Sequence, residues 1–105
     1  MSTLAQAKQE LNDLQSRFRQ LQSQYNQIKS AIDNGAGVSD VVRNVLQLQE
    51  ALQVQLKFVE FLQDVTIPNI RDGSPNAINE LTNQTRILKD QYNDLIDATA
   101  QLTTL

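Results

Sequence analysis

No cysteine and no histidine occur among the 105 residues. Disulfides, thiolate zinc sites, haem ligation through histidine, and cysteine or histidine nucleophile chemistry are excluded at once. With no cysteine to read, the redox compartment leaves no mark on the sequence. Tryptophan is missing too, and aromatic residues make up only 5%, so a core must be built mainly from aliphatic side chains. Three glycines and two prolines are too few for a loop-rich or disordered chain. Apolar runs are short, and none approaches the roughly 18 residues that signal a membrane-spanning helix. The opening residues, MSTLAQAKQE, lack the basic flank and apolar run of a signal peptide. A protein that is cytoplasmic or virion-associated is the expectation.

Charge is also sparse, with 9 basic and 12 acidic residues giving a net charge of −3. Amide takes its place: fifteen Gln and nine Asn supply carboxamides to nearly a quarter of the positions. Glutamine supports a helix and solvates it without adding charge. Such a surface is either a plain neutral exterior or one that lets other chains approach without like-charge repulsion. The length fits one domain spanning residues 1–105, near the size at which oligomerisation helps a modest core.

What the sequence does have is periodicity. From Leu11 to Ile28 the apolar residues fall at Leu11, Leu14, Phe18, Leu21, Tyr25 and Ile28, alternating steps of three and four. With Leu4, Ala7 and Ile32 this is an unbroken a/d heptad pattern over four heptads. Thr3 and Gln6 fit a capping box, and Gly35 suits the left-handed position after the helix end. A helix is predicted over about 3–33, roughly 45 Å long at 1.5 Å per residue. Heptad spacing returns in the third segment at Ile78, Leu81, Leu88, Tyr92, Leu95 and Leu102, with Thr85 and Thr99 weakening the seam. Ser74 and Pro75 give it a strong start. No stop signal precedes Leu105, so this helix should run over about 75–104.

The middle segment, about 40–66, reads as a helix with Ser39 as its N-cap. Val45, Leu52 and Val59 fall at position a, and Val41, Leu48, Gln55 and Leu62 at d. Apolar residues also spill outward, with Phe58 at g and Leu46, Val54 and Phe61 at b or c. Only the f line, Arg43, Glu50, Lys57 and Asp64, is consistently charged. The alternation from Leu52 to Phe58 resembles a strand, but a lone strand would leave its ladder unpaired. Pro68 should stop or kink this helix near Val65 to Ile67.

The fold class expected is therefore all-α: three long helices, up-down-up, with heptad seams, a three-helix bundle of coiled-coil type. Helices one and three would run parallel, with helix two antiparallel between them. One register sets Ala7 beside Leu81, Leu11 beside Thr85, Phe18 beside Tyr92 and Tyr25 beside Thr99.

Candidate chemistry is thin. Asp90, Asp94 and Asp97 share a helix face and three oxygens could attract a hard cation, but they lie at f and c, away from the seam. Arg17 and Arg19 flank Phe18, yet Phe18 belongs to the seam and no basic cluster exists to displace nucleic-acid counterions. Arg17 should pair with Asp13 one turn earlier. Tyr25 and Tyr92 at a positions read as core aromatics whose hydroxyls reach the bundle edge. Asn83-Gln84-Thr85 matches a glycosylation sequon by chance. No glycine-rich phosphate loop is present. The expectation is no enzyme, cofactor, metal, nucleic acid, membrane or small-molecule substrate.

The remaining signal is the apolar surplus of helix two. A wide middle-helix face accounts for Phe58 and partly for Val54 and Phe61; a docking or oligomer face of Leu46, Val54, Phe58 and Phe61 accounts for all four. A membrane surface is disfavoured, since only Arg43 and Lys57 would meet anionic lipid. The expected function is a non-enzymatic structural or assembly protein that self-associates or packs on protein partners, for example a small phage or virion component. The alternatives are a helical adaptor or chaperone presenting helix two to a client, and a small protein inhibitor, the latter disfavoured by the weak net charge. The e and g positions of the first seam carry no complementary charge code, so the seam fixes neither orientation nor oligomer number.

Overall fold

The structure, a computed structural model, describes residues 2–104. Three helices, α1 (Leu4–Asp33), α2 (Val38–Phe61) and α3 (Pro75–Gln101), form an elongated bundle of 53 × 18 × 17 Å. The long axis is set by α1, whose 30 residues span about 45 Å. The first connector is short enough to fold α2 back antiparallel. The second returns the chain so that α3 runs parallel to α1, the up-down-up path that the sequence predicts.

Each helix starts and stops for a chemical reason. Thr3 accepts from the Gln6 amide at 3.2 Å while the Gln6 side chain accepts from the Thr3 amide at 3.1 Å. This reciprocal box satisfies two of the orphan donors at the helix start. At the other end Gly35 sits at φ +82°, the Gly35 amide donates to Ile32 and the Ala36 amide to Ala31. That pair of bonds satisfies the last carbonyls and needs a left-handed residue, which glycine supplies without strain. Ser74 caps α3 by accepting from the Ala77 amide at 3.2 Å, with Pro75 at the first helical position.

Two boundaries differ from those predicted. α2 begins at Val38 rather than near 40, and its cap is Gly37, with no side-chain cap bond. The backbone of Gly37 is already extended and its carbonyl takes the Val41 amide. Starting early lets Val38 and Val41 line the bundle end with Ile32 and Leu102, while Asp40 supplies the favourable negative charge in the first turn. Pro68 does not produce a simple stop either. The helical path continues through a π turn at Leu62–Thr66 and a 3-10 turn at Ile67–Asn69. The Ile67 amide donates to Leu62, five residues back, and the Asn69 side chain donates to the Val65 carbonyl at 2.7 Å. The wider turn brings Thr66 and Ile67, sequence neighbours, both into the interior. Leu102, Thr103 and Thr104 close the chain's described part in a 3-10 turn; Leu105, before which the sequence shows no stop signal, lies outside the described residues.

The second connector also finishes α1. Asp72 accepts from the Leu4 amide at 2.8 Å, and the Arg71 amide donates to the Ser2 carbonyl at 3.3 Å. A carboxylate at a helix N-terminus meets both an orphan donor and the positive end of the dipole. Gly73, at φ +96°, approaches so closely that a Cβ there would lie 3.0 Å from Leu4 Cδ2.

The core is the predicted seam. Leu11, Leu14, Leu21 and Ile28 from α1 and Leu81, Leu88 and Leu95 from α3 are buried, together with Val45, Leu48, Leu52 and Val59 of α2. Phe18 and Tyr92 meet edge to face at 5.1 Å between centroids, as the register that set them side by side requires. Phe18 and Tyr25 remain half-buried at the rim. Thr85 and Thr99 are fully buried, and each donates its hydroxyl to the carbonyl four residues back at 2.7 Å. The seam thus tolerates threonine because the local helix supplies an acceptor.

Candidate functional site

The candidate face lies on the outer side of α2. Phe58 and Phe61 are each 56% exposed, Val54 46% and Leu46 58%. A wide middle-helix face accounts for Phe58 only in part, since more than half of the side chain stays exposed beside Leu14 of α1. Spacing divides the four residues. Val54, Phe58 and Phe61 follow one another by four and three, and Val65, also exposed, continues the line onto the π turn. These four make a ridge about 16 Å long at 1.5 Å per residue. Leu46 stands two turns before Val54 and continues instead from Val38 and Val42, which are likewise exposed.

Beside the ridge runs a groove of about 430 Å³ between α1 and α2, lined by Glu10, Asp13, Leu14, Phe58 and Phe61. Its floor is aliphatic and aromatic, and its α1 wall is acidic. Farther along the same seam a second groove, of about 390 Å³, is lined mostly by carboxamides, among them Gln24, Gln27, Asn44 and Gln47. These groups exchange hydrogen bonds but neither take nor give protons at neutral pH. A third, of about 330 Å³, opens between α1 and α3 beside Phe18, Tyr25 and Asp94.

Charges around the ridge are largely unpaired. The described residues hold two ion pairs, Arg43–Asp40 at 2.9 Å and Lys89–Glu60 at 3.9 Å. The predicted Arg17–Asp13 pair is not formed: Asp13 accepts from the Gln9 side chain at 2.9 Å instead. An amide one turn away satisfies the carboxylate without desolvating a guanidinium, and an exposed ion pair offers little in return. Among the described residues Arg17, Lys57 and Asp64 have no ion-pair partner within 4 Å.

Other candidates are placed as follows. Asp90, Asp94 and Asp97 are exposed along α3, and no group of three acidic side chains among the described residues could hold a metal ion. Arg17 and Arg19 flank a seam aromatic rather than forming a basic cluster; Arg19 donates to Ser16 at 3.1 Å. Tyr92 corrects the expectation of a hydroxyl at the bundle edge. It is 0% exposed and its hydroxyl donates to the Leu14 carbonyl at 2.8 Å. Burial pushes that hydroxyl up to about 12, against the nearby positive charge of Arg17, which pulls it down. A phenol held neutral and spent on a backbone carbonyl cannot serve as base or nucleophile near pH 7. Thr85 of the sequon is buried within α3. No helix of the described residues is long and apolar enough to cross a membrane.

Asp72 escaped the sequence reading. Its partner, Leu4, is 68 residues away, and an Asp in a loop before Gly-Ser-Pro reads locally as a turn residue. Comparison of the chain with family models, with curated proteins and with solved structures finds no match in any of the three.

Proposed function

We propose that this protein is a non-enzymatic assembly protein whose working surface is the apolar ridge of α2, and that it acts by self-association through helix faces of coiled-coil type. The observation that carries the reading is the exposure of Phe58 and Phe61 beside an apolar groove. A large apolar patch left open on a small bundle costs solubility unless something covers it. The neutral, amide-rich exterior lowers the repulsion that would keep copies apart. The polar residues of the second groove carry no proton-transfer groups, which supports a binding rather than a catalytic role.

Solution mass by light scattering at low and high micromolar concentration tests the reading. The wild-type chain should gain mass with concentration. Phe58→Asp/Phe61→Asp should stay monomeric with unchanged helicity, because both side chains already face solvent. A wild-type chain that is monomeric throughout, or a double variant that associates as the wild type does, would overturn it.

A further inference from the structure

The charges flanking the ridge say how a second copy would sit on it. Their placement follows from the register of α1 against α2. Ala31 shares a groove with Asn44 at one end of the pair, and Leu14 shares one with Phe61 toward the other. That antiparallel register puts Arg17 level with Phe58 and Asp13 level with Leu62. Glu10, Gln24 and Ala31 all line the grooves against α2. Arg17 lies on the same heptad line, seven residues after Glu10, and so faces the ridge from the α1 side. On the opposite flank the f line presents Lys57 and Asp64. The α1 flank therefore carries Arg17 with the anions Asp13 and Glu10, the f flank carries Lys57 with Asp64, and among the described residues no ion pair joins Arg17 to Asp13 or Lys57 to Asp64.

We propose that the occupant of the ridge is a second copy of this chain, docked about a two-fold axis midway between Phe58 and Phe61 with the two α2 helices antiparallel. This rests on the assembly reading above and specifies its geometry. A two-fold axis lying in the interface and crossing α2 keeps each flank on its own side while reversing direction. Phe58 then meets Phe61 of the second copy, and Val54 meets Val65. On the α1 flank Arg17 comes level with Asp13 of the second copy. On the f flank Lys57 comes within a turn of its Asp64. Each contact occurs twice by symmetry.

The parallel alternative places the α1 flank of one copy against the f flank of the other. Arg17 would then face Lys57, and Asp13 would face Asp64. Both flanks repel, and repulsion between like charges is the stronger selector of orientation at a rim. The same residues thus favour one arrangement and oppose the other.

The absence of native cysteine makes the geometry directly readable. Under mild oxidation, an equimolar mixture of Val54→Cys and Val65→Cys proteins should form disulfide-linked dimers, while Val54→Cys alone should form few. Both positions are exposed, so the substitutions leave the core untouched. Separately, Lys57→Asp and Asp64→Lys should each weaken the dimer about tenfold, and the two together should restore it to within about twofold. Efficient cross-linking of Val54→Cys alone would overturn the antiparallel geometry while leaving self-assembly through the ridge in place. Failure of the combined charge exchange to restore association would also overturn it. A chain that stays monomeric at high micromolar concentration would remove both the geometry and the assembly reading, with a different protein then the occupant.

Discussion

Changing Tyr92 to Phe should destabilise the bundle at pH 7 and stabilise it, relative to wild type, above about pH 11. The ring stays, so the edge-to-face contact with Phe18 and the packing volume stay. What is lost is the hydroxyl bonded to the Leu14 carbonyl, and a buried hydrogen bond of that kind contributes about 1 kcal/mol. For a chain of this size that is a fall in midpoint of roughly 4–5 °C. The alkaline limb runs the other way. The Tyr92 pKa rises from 10.0 in the unfolded chain to about 12 in the fold, so the folded state holds its proton where the unfolded state releases it. The stabilisation is full below pH 10, declines as the pH rises through the folded value, and by linkage amounts to a loss of about 1.4 kcal/mol at pH 11. That loss exceeds what the hydrogen bond contributed, so the order of the two proteins inverts. Urea unfolding followed by circular dichroism at both pH values measures the difference directly, and the titration of lysines cancels between the two proteins. A difference that is the same at pH 7 and pH 11 would refute the reasoning, and with it the account of Tyr92 as a phenol held neutral by burial.

Leu52 is 0% exposed in the middle of α2, and Leu52→Ala should cost about 3–4 kcal/mol in chemical denaturation. Asp72→Ala should cost about 1 kcal/mol and raise hydrogen exchange at the Leu4 amide specifically, since the orphan donor loses its acceptor. Gly73→Ala should cost about 1–2 kcal/mol, because it combines a left-handed backbone with a close approach to Leu4; a neutral thermal scan would contradict this. Thr85→Val should fall within about 1 kcal/mol of wild type in the same scan, because the Leu81 carbonyl retains its helical partner when the hydroxyl goes.

The features that could be read from sequence were those whose cause is local. A three-four step pattern compels one face of a helix inward, and a Thr three residues before a Gln, or a Ser before a Pro, satisfies donors within a single turn. Those readings placed α1, α3 and their caps, and the matching period of the two seams allowed the register that sets Phe18 beside Tyr92. The features that were missed depend on distant parts of the chain or on competition between similar energies. Ser39 is a better capping residue than Gly37, yet the extended backbone of Gly37 already offers its carbonyl to the Val41 amide, and α2 starts there. Asp13 had two partners one turn away, and only the folded geometry selects Gln9. Tyr92 was legible as core, but its acceptor on α1 was not. On the candidate face, the surplus of apolar residues was visible because Val54 and Phe61 break the heptad rule. The α1 charges that flank them, Arg17 and Asp13, emerge only once the helices are set side by side.

The π turn at Leu62–Thr66 amounts to one residue more than an α-helix needs to cover the same rise. Removing a single residue there, Gln63 for instance, would let the regular helix run on unbroken. The wide turn covers about the rotation and rise that an α-helix covers with one residue fewer, so Ile67 and the connector beyond would keep nearly their present phase, with Asp72 still at the start of α1. A residue added or removed elsewhere in α2 has no such slack and would rotate everything beyond it by about 100°. The bundle therefore tolerates a change of chain length better at this turn than along the regular part of α2.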